Sequence, residues 1–176
     1  MNNEIEILVE ICREDVVIPS YAKEGDAGMD VCAAMDVVIQ PGETVVIPTG
    51  LKVAIPVGFE IQVRSRSGIS FKTPLRVANS PGTVDSGYRD EVGVIMTNTS
   101  DNKYFVKKDE LEVDDLILLL DSKGNKKGPY QIKKGDRVAQ IVLQRVPKMK
   151  FVVVDSVSGI GEDRGGGFGS TGTSSN

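Results

Sequence analysis

The sequence predicts an all-β domain. Short β-branched runs recur along it, turn signals separate them at close spacing, and helical periodicity is scarce. That combination marks a β-sandwich, jelly roll or barrel, in which strands bury one face and tight turns reverse the chain.

The elements follow in order. Glu4–Ile11 alternates polar and apolar residues at its start, which suits a half-buried strand. Asp26–Val31 is a turn with two acids that leads towards a strand. Asp36–Ile39, Thr44–Ile47, Leu51–Ile55 and Phe59–Arg64 are short β-branched strands, punctuated by Pro41-Gly42, Pro48-Thr49-Gly50 and Pro56-Val57-Gly58. Proline fixes φ and glycine frees it, so these pairs make reversals. Ser67–Phe71 has room for one short helix. Gly82–Tyr88 reads as a strand entering a tight turn with an acid and an aromatic at its rim. Further strands are expected at Glu91–Asn98, Tyr130–Ile132, Arg137–Val146 and Lys150–Asp155. Alternation within the third of these sets Val138, Gln140 and Val142 on one face. Asp101–Lys127, charged at both ends around Leu116–Leu120, reads as an extra hairpin. From Ser156 onward Gly, Ser and Thr dominate, with too little apolar surface to order the chain. The expected organisation is a β domain over 1–155 and a flexible Gly-rich arm over 156–176.

Composition narrows the chemistry. At 176 residues, with 40 % hydrophobic and 26 % charged, the chain suits one globular domain with a sizeable core. No apolar run reaches membrane-spanning length, and Glu4, Glu6 and Glu10 interrupt the place of a leader's apolar core. The expectation is a cytoplasmic protein with no membrane partner. A net charge of −4 argues against broad binding to a nucleic-acid backbone. Cys12 and Cys32 lack metal-ligand spacing and read as free thiols. The chain has no histidine, which excludes Ser-His-Asp and Cys-His catalysis and His-ligated zinc. Acid–base work falls to carboxylates, Lys, Tyr or water, and any metal to a hard cation on oxygen, magnesium first.

Several stretches carry chemistry. Arg64-Ser65-Arg66-Ser67-Gly68 combines guanidinium, hydroxyl and glycine at a helix start, which suits a phosphate; its structural reading is a polar loop. Gly82–Tyr88 is either an ordinary β-turn or a grip for a small planar ligand. In Gly135–Leu143 a glycine turn leads into a strand whose Gln140 needs polar partners if buried. Gly167, Gly169 and Gly172 spell G-x-G-x-x-G, but the four residues that remain cannot form the helix a dinucleotide site requires.

Taken in order, Ala27-Gly28-Met29-Asp30, Arg66-Ser67-Gly68, Gly82–Tyr88, Gly135–Leu143 and Arg164–Gly172 resemble the five motifs of the homotrimeric deoxyuridine triphosphatase (dUTPase) family. The resemblance runs from about Ile7 to the C-terminus, apart from Asp101–Lys127. It implies a β jelly-roll subunit, a homotrimer with shared active sites, and magnesium-dependent hydrolysis of dUTP to dUMP and pyrophosphate. That reaction lowers dUTP and supplies dUMP for thymidylate synthesis. It implies Asp85 as the base that activates water against the α-phosphorus, a role suited to a chain without histidine. Tyr88 would pack on the deoxyribose and exclude a 2′-hydroxyl. Gly82, Thr83, Val84 and Gly93 would form the uracil pocket with Asn79 beside it. Arg66, Ser67, Gly68 and Gln140 would hold phosphates, with Ser67 donating to the α–β bridging oxygen. Asp30 would reach magnesium only through water. Phe168 would stack on uracil beside Gly169, and Arg164 would reach the terminal phosphate, making the arm a lid. Arg164 and Phe168 stand one residue closer than in the family's usual pattern.

Two other functions compete. A dCTP deaminase shares the superfamily but builds its hairpin around a glutamate. A regulatory interaction protein would use Asp101–Lys127 as a docking surface for a protein partner; the structural reading of that segment, a decorative hairpin, is preferred.

Overall fold

The computed structural model describes residues 4–101, 117–120, 126–163 and 165. Over them the backbone forms the expected all-β architecture. In chain order come β1 (Leu8–Ile11), β2 (Met29–Cys32), β3 (Val37–Ile39), β4 (Thr44–Pro48), β5 (Leu51–Ala54) and β6 (Phe59–Ser65). A short helix, α1 (Ser67–Lys72), precedes β7 (Leu75–Val77), β8 (Gly82–Val84), β9 (Gly93–Asn98), β10 (Leu118–Leu119), β11 (Tyr130–Ile132) and β12 (Arg137–Arg145). The sheets are β1–β5, β10–β11–β3, β2–β12–β6–β8 and β4–β9–β7. β10 and β11 run parallel; the other pairings are antiparallel.

The interior is built from alternate residues of these short strands. Val94, Met96 and Asn98 of β9 point inward, with Ile39, Ile47, Leu75, Tyr130 and Ile132. Asn98 is fully buried yet satisfied. Its Nδ2 donates to the carbonyls of Ile39 (3.1 Å) and Gly128 (2.7 Å), and its Oδ1 accepts from the Ser100 amide (3.0 Å). One amide side chain thereby ties β3, β9 and the approach to β11, which makes it costly to replace with an apolar residue.

β12 lies between β2 and β6. A bulge between Arg137 and Ala139 places two β12 residues against one step of β2. Val138 and Ala139 are both fully buried, so the simple alternation expected there does not hold through Val138. Gln140 and the residues after it keep the regular register.

α1 occupies the place expected for a short helix and buries Ile69. It stops because the Thr73 hydroxyl and amide both donate to the Ile69 carbonyl (2.8 and 3.0 Å), while Pro74 disfavours a further helical turn.

Two expectations are corrected, and one strand was not expected. Residues 150–155 do not form a strand: Phe151 and Val153 are exposed, and a β-branched run becomes a strand only where a neighbour takes its backbone bonds. The first strand begins at Leu8 rather than Glu4. β7 escapes periodicity because three residues are too few to show it. The segment 101–127 is described only at 101, 117–120 and 126–127, where β10 lies parallel to β11; the rest of the expected hairpin lies outside the described residues.

The chain divides into units 1–146 and 147–176. In the second, the described residues make local turns, as where the Gly165 amide donates to Asp163 (2.8 Å). Among the described residues no helix is long and apolar enough to cross a membrane.

Candidate active site

Three separate motifs converge on Asp30. Cross-strand register sets Gln140 of β12 opposite Asp30 of β2 on one side and Arg64 of β6 on the other. Arg66, one residue beyond β6, turns back to Asp30. Its Nε and Nη2 donate to the two carboxylate oxygens (2.9 and 3.0 Å), and its Nη1 donates to the Arg137 carbonyl (3.1 Å). Gln140 Nε2 adds a bond to Asp30 Oδ1 (3.2 Å), the polar partner expected for it. Arg137 Nη1 stands 3.7 Å from Asp30 Oδ2. Two arginines therefore face one carboxylate, and the surplus positive charge suits a phosphate. Ser67 and Gly68 open α1 directly after Arg66, both exposed. Arg66 commits three of its five N–H donors to the protein, leaving two for a ligand.

The rim of the turn after β8 is a second cluster. The Tyr88 amide donates to the Asp85 carbonyl (3.0 Å), and Arg89 Nη1 donates to the carbonyls of Ser86 and Tyr88 (2.7 and 2.6 Å). These bonds close the turn and leave the Asp85 carboxylate exposed. The Tyr88 hydroxyl donates to the Glu91 carbonyl (2.9 Å), which fixes the ring. Glu91 is itself gripped: Arg13 donates from Nε and Nη2 to its two carboxylate oxygens (2.7 Å each), and the Gly50 amide donates to Oε1 (2.7 Å). The Arg13 hydrogen bonds hold the Glu91 carboxyl below the usual carboxylate range.

Of the residues expected around the base, Gly82, Thr83 and Val84 form β8. Thr83 is exposed and Val84 buried. A Cβ on Gly82 would stand 2.8 Å from Asn79 Nδ2, so the glycine lets Asn79 lie against the strand. The Ser65 amide donates to Ser80 Oγ (3.1 Å), joining this turn to the arginine strand. Gly93 opens β9, where a Cβ would collide with Val46 Cγ1.

Asp30, Arg66 and Gln140 are thus brought into one cluster, and Asn79, Gly82, Thr83, Val84, Asp85 and Tyr88 onto one turn and strand. The two groups are not superimposed. β8 runs antiparallel to β6, with Gly82 opposite Val63 and Val84 opposite Ile61. Asp85 accordingly points along β6 away from Arg66, about six strand residues or roughly 20 Å along it. Arg164, Phe168 and Gly169 lie outside the described residues. Arg137, Glu91 and Arg13 were not singled out as site residues from sequence. Arg137 carried one signal, its place in the quoted Gly135–Leu143 motif. The Arg13–Glu91 pair, 78 residues apart, carried none.

Among the described residues no group of three His, Cys, Asp or Glu side chains is arranged to hold a metal ion. Both Asp30 oxygens already accept from Arg66, which fits an outer-sphere contact and not direct ligation. Cys12 and Cys32 are free, and burial pushes the Cys32 thiol up, away from the reactive thiolate.

Comparison with known proteins places the chain among relatives of one family. The dUTPase family model matches residues 14–111. The deoxyuridine 5′-triphosphate nucleotidohydrolase of Picosynechococcus sp. is 40 % identical over 159 residues, 90 % of this chain and 93 % of that protein. A variant of the Staphylococcus bacteriophage 80alpha dUTPase, solved with dUpNHpp, superposes with a TM-score of 0.80 at 29 % identity, over 96 % of this chain and 99 % of that one. A variant of the dUTPase from phage phi11 of S. aureus, solved with a structural Mg(II) ion, gives 0.70 at 28 % identity over 86 % and 98 %. Motif order, strand topology and overall similarity share one explanation: the chain belongs to the dUTPase family and has its jelly-roll subunit fold.

Proposed function

We propose that this dUTPase-family enzyme splits dUTP into dUMP and pyrophosphate using Asp85 as general base and the Asp30–Arg66–Gln140 cluster as the frame of its phosphate site. The observation that carries the reading is the convergence of three separate motifs on Asp30, with cationic donors left over. Asp85 takes a proton from water as that water attacks the α-phosphorus; the bond to the α–β bridging oxygen breaks and pyrophosphate leaves. Ser67 donates to that oxygen as charge develops there, while Arg66, Gly68 and Gln140 hold the phosphates. Tyr88, pinned through its hydroxyl, stacks on deoxyribose. A 2′-hydroxyl would meet the ring, so UTP is discriminated against. Gly82, Thr83, Val84 and Gly93 read uracil with backbone groups, and Asn79 lines the pocket.

The separation of roughly 20 Å along β6 supports a shared site, because the α-phosphate is joined directly to the sugar and cannot be that far from it. Asp85 and Tyr88 of one copy serve the phosphate residues of another, in a homotrimer. Magnesium bound with the substrate would supply neutralising charge to the phosphates, and Asp30 is the residue that would reach it, through water. Residues 156–176 serve as the arm that covers the nucleotide, through Arg164, Phe168 and Gly169. The 101–127 segment is read as decoration on the 1–155 domain, and the site of action as the cytoplasm.

Asp85→Asn tests the mechanism. Binding of a non-hydrolysable dUTP analogue should persist, with turnover reduced about 10²- to 10⁴-fold, the usual scale for a general base. Turnover near wild type would remove Asp85 from the role.

A further inference from the structure

We propose that Arg13 is a positioning residue for sugar selection: through Glu91 it holds the Tyr88 ring in the place that excludes a 2′-hydroxyl. This rests on the sugar contact proposed above for Tyr88 and adds what sets its strictness.

The turn that carries Tyr88 is anchored from outside itself. Among the described residues, the hydrogen bonds made by residues 86–90 stay within the turn or end on Glu91. The Tyr88 amide returns to the Asp85 carbonyl, and Arg89 bonds the carbonyls of Ser86 and Tyr88. The bond that leaves the turn is the one from the Tyr88 hydroxyl to the Glu91 carbonyl (2.9 Å). The tyrosine is 39 % exposed, so packing alone does not lock its ring. Its orientation depends on where Glu91 is held.

Glu91 is held by a residue far away in sequence. β1 and β5 pair antiparallel with Ile11 opposite Leu51, and the Cys12 amide extends the ladder to the Gly50 carbonyl (2.9 Å). That register delivers Arg13 beside the turn between β4 and β5. Its Nε and Nη2 each donate to one Glu91 carboxylate oxygen at 2.7 Å, the planar two-pronged fit of guanidinium and carboxylate. The Gly50 amide adds a third bond, to Oε1 (2.7 Å). The next residue is pinned by the backbone and the core: the Val92 amide donates to the Leu51 carbonyl (2.8 Å), and the Thr49 hydroxyl donates to the Val92 carbonyl (2.6 Å). Of these ties, the two from Arg13 come from a side chain 41 % exposed, so they can be removed without opening the core. Arg13 acts through Glu91 and not on the nucleotide, and Arg13, Glu91 and Tyr88 belong to one copy of the chain.

The test measures kcat/KM for dUTP and for UTP in wild type, Arg13→Met, Arg13→Lys, Tyr88→Phe and the Arg13→Met, Tyr88→Phe double variant. A misplacement of about 1 Å costs about 10²-fold in rate, so loosening one anchor by a fraction of that should lower the dUTP-to-UTP ratio of Arg13→Met about tenfold. Part of the change should be a higher kcat/KM for UTP, which a damaged fold would not give. Arg13→Lys should recover part of the ratio, because it keeps the charge without the planar fork. Tyr88→Phe lacks the hydroxyl through which the anchor acts, so adding Arg13→Met to it should change the ratio by less than about twofold. Equal losses for both nucleotides in Arg13→Met, or a ratio within about twofold of wild type, would overturn the proposal while leaving the sugar contact of Tyr88 in place. Additive effects in the double variant would overturn it as well. Wild-type protein that turns over UTP as readily as dUTP would instead refute the sugar contact itself, and the proposal with it.

Discussion

Removing either partner of the Asp30–Arg66 pair should expose how much of the site depends on it. Two charge-assisted hydrogen bonds of 2.9 and 3.0 Å join the side chains, each about a quarter exposed. Exposed ion pairs contribute about 0.2–1 kcal/mol. Truncating one partner of a fully buried pair costs about 3–5 kcal/mol, mostly by orphaning the other charge. This pair lies between those limits. Asp30 deprived of Arg66 keeps Gln140 at 3.2 Å and Arg137 at 3.7 Å, so it is not orphaned. A coupling energy of about 1–2 kcal/mol follows for the cycle formed by Asp30→Ala, Arg66→Ala and the double variant. Urea unfolding at fixed protomer concentration measures it, since a shared assembly makes stability depend on concentration. Because the partners touch, salt near 1 M, where the Debye length is about 3 Å, should leave most of the coupling in place. A coupling below about 0.3 kcal/mol, the scatter expected of independent sites, would refute the idea that Arg66 is held by Asp30.

Two further outcomes follow from the rim. Gly50→Ala should destabilise the protein by about 2–5 kcal/mol, because φ is +73° there and the new Cβ would strike Val16 Cγ2 and lie 3.3 Å from Arg13 Cβ; a urea midpoint near wild type would contradict this. The Glu91 clamp should contribute stability that is fully present above the carboxyl's ordinary value of 4.5 and is lost as pH falls through its depressed folded value. The stability gap between wild type and Glu91→Gln should be flat above about pH 5 and shrink below it; a gap that widens on acidification would reverse the assignment.

Much of the fold was legible because most of the short strands, though not β7, carried their own signal. Pro48-Thr49-Gly50 and Pro56-Val57-Gly58 mark reversals through backbone chemistry alone, and the strands they bound appear where expected. Residues 150–155 show the limit of such signals. Their β-branched run satisfies every local preference, yet a strand also needs a partner for its backbone, which local sequence does not provide. The bulge at Arg137 was likewise invisible, since an extra residue in a ladder is defined only against the opposing strand. In the site, Asp30, Arg66 and Gln140 could be named from motifs. That Arg66 spends three donors inside the protein could not.

By itself the sequence determined the chemical repertoire: no histidine, an acid and an aromatic on one turn, arginine-serine-glycine before a short helix, and the motif order of the dUTPases. Those are properties of residue type and spacing, which survive without knowledge of neighbours. Only the tertiary structure decided which groups meet. Strand register carried Gln140 to Asp30, folded Arg66 back onto the same carboxylate, and ran Asp85 towards the other end of β6. The physical reason is that register is a long-range choice. It is set by which side chains the whole core can bury together, and a shift of one residue would turn each of these side chains to the opposite face.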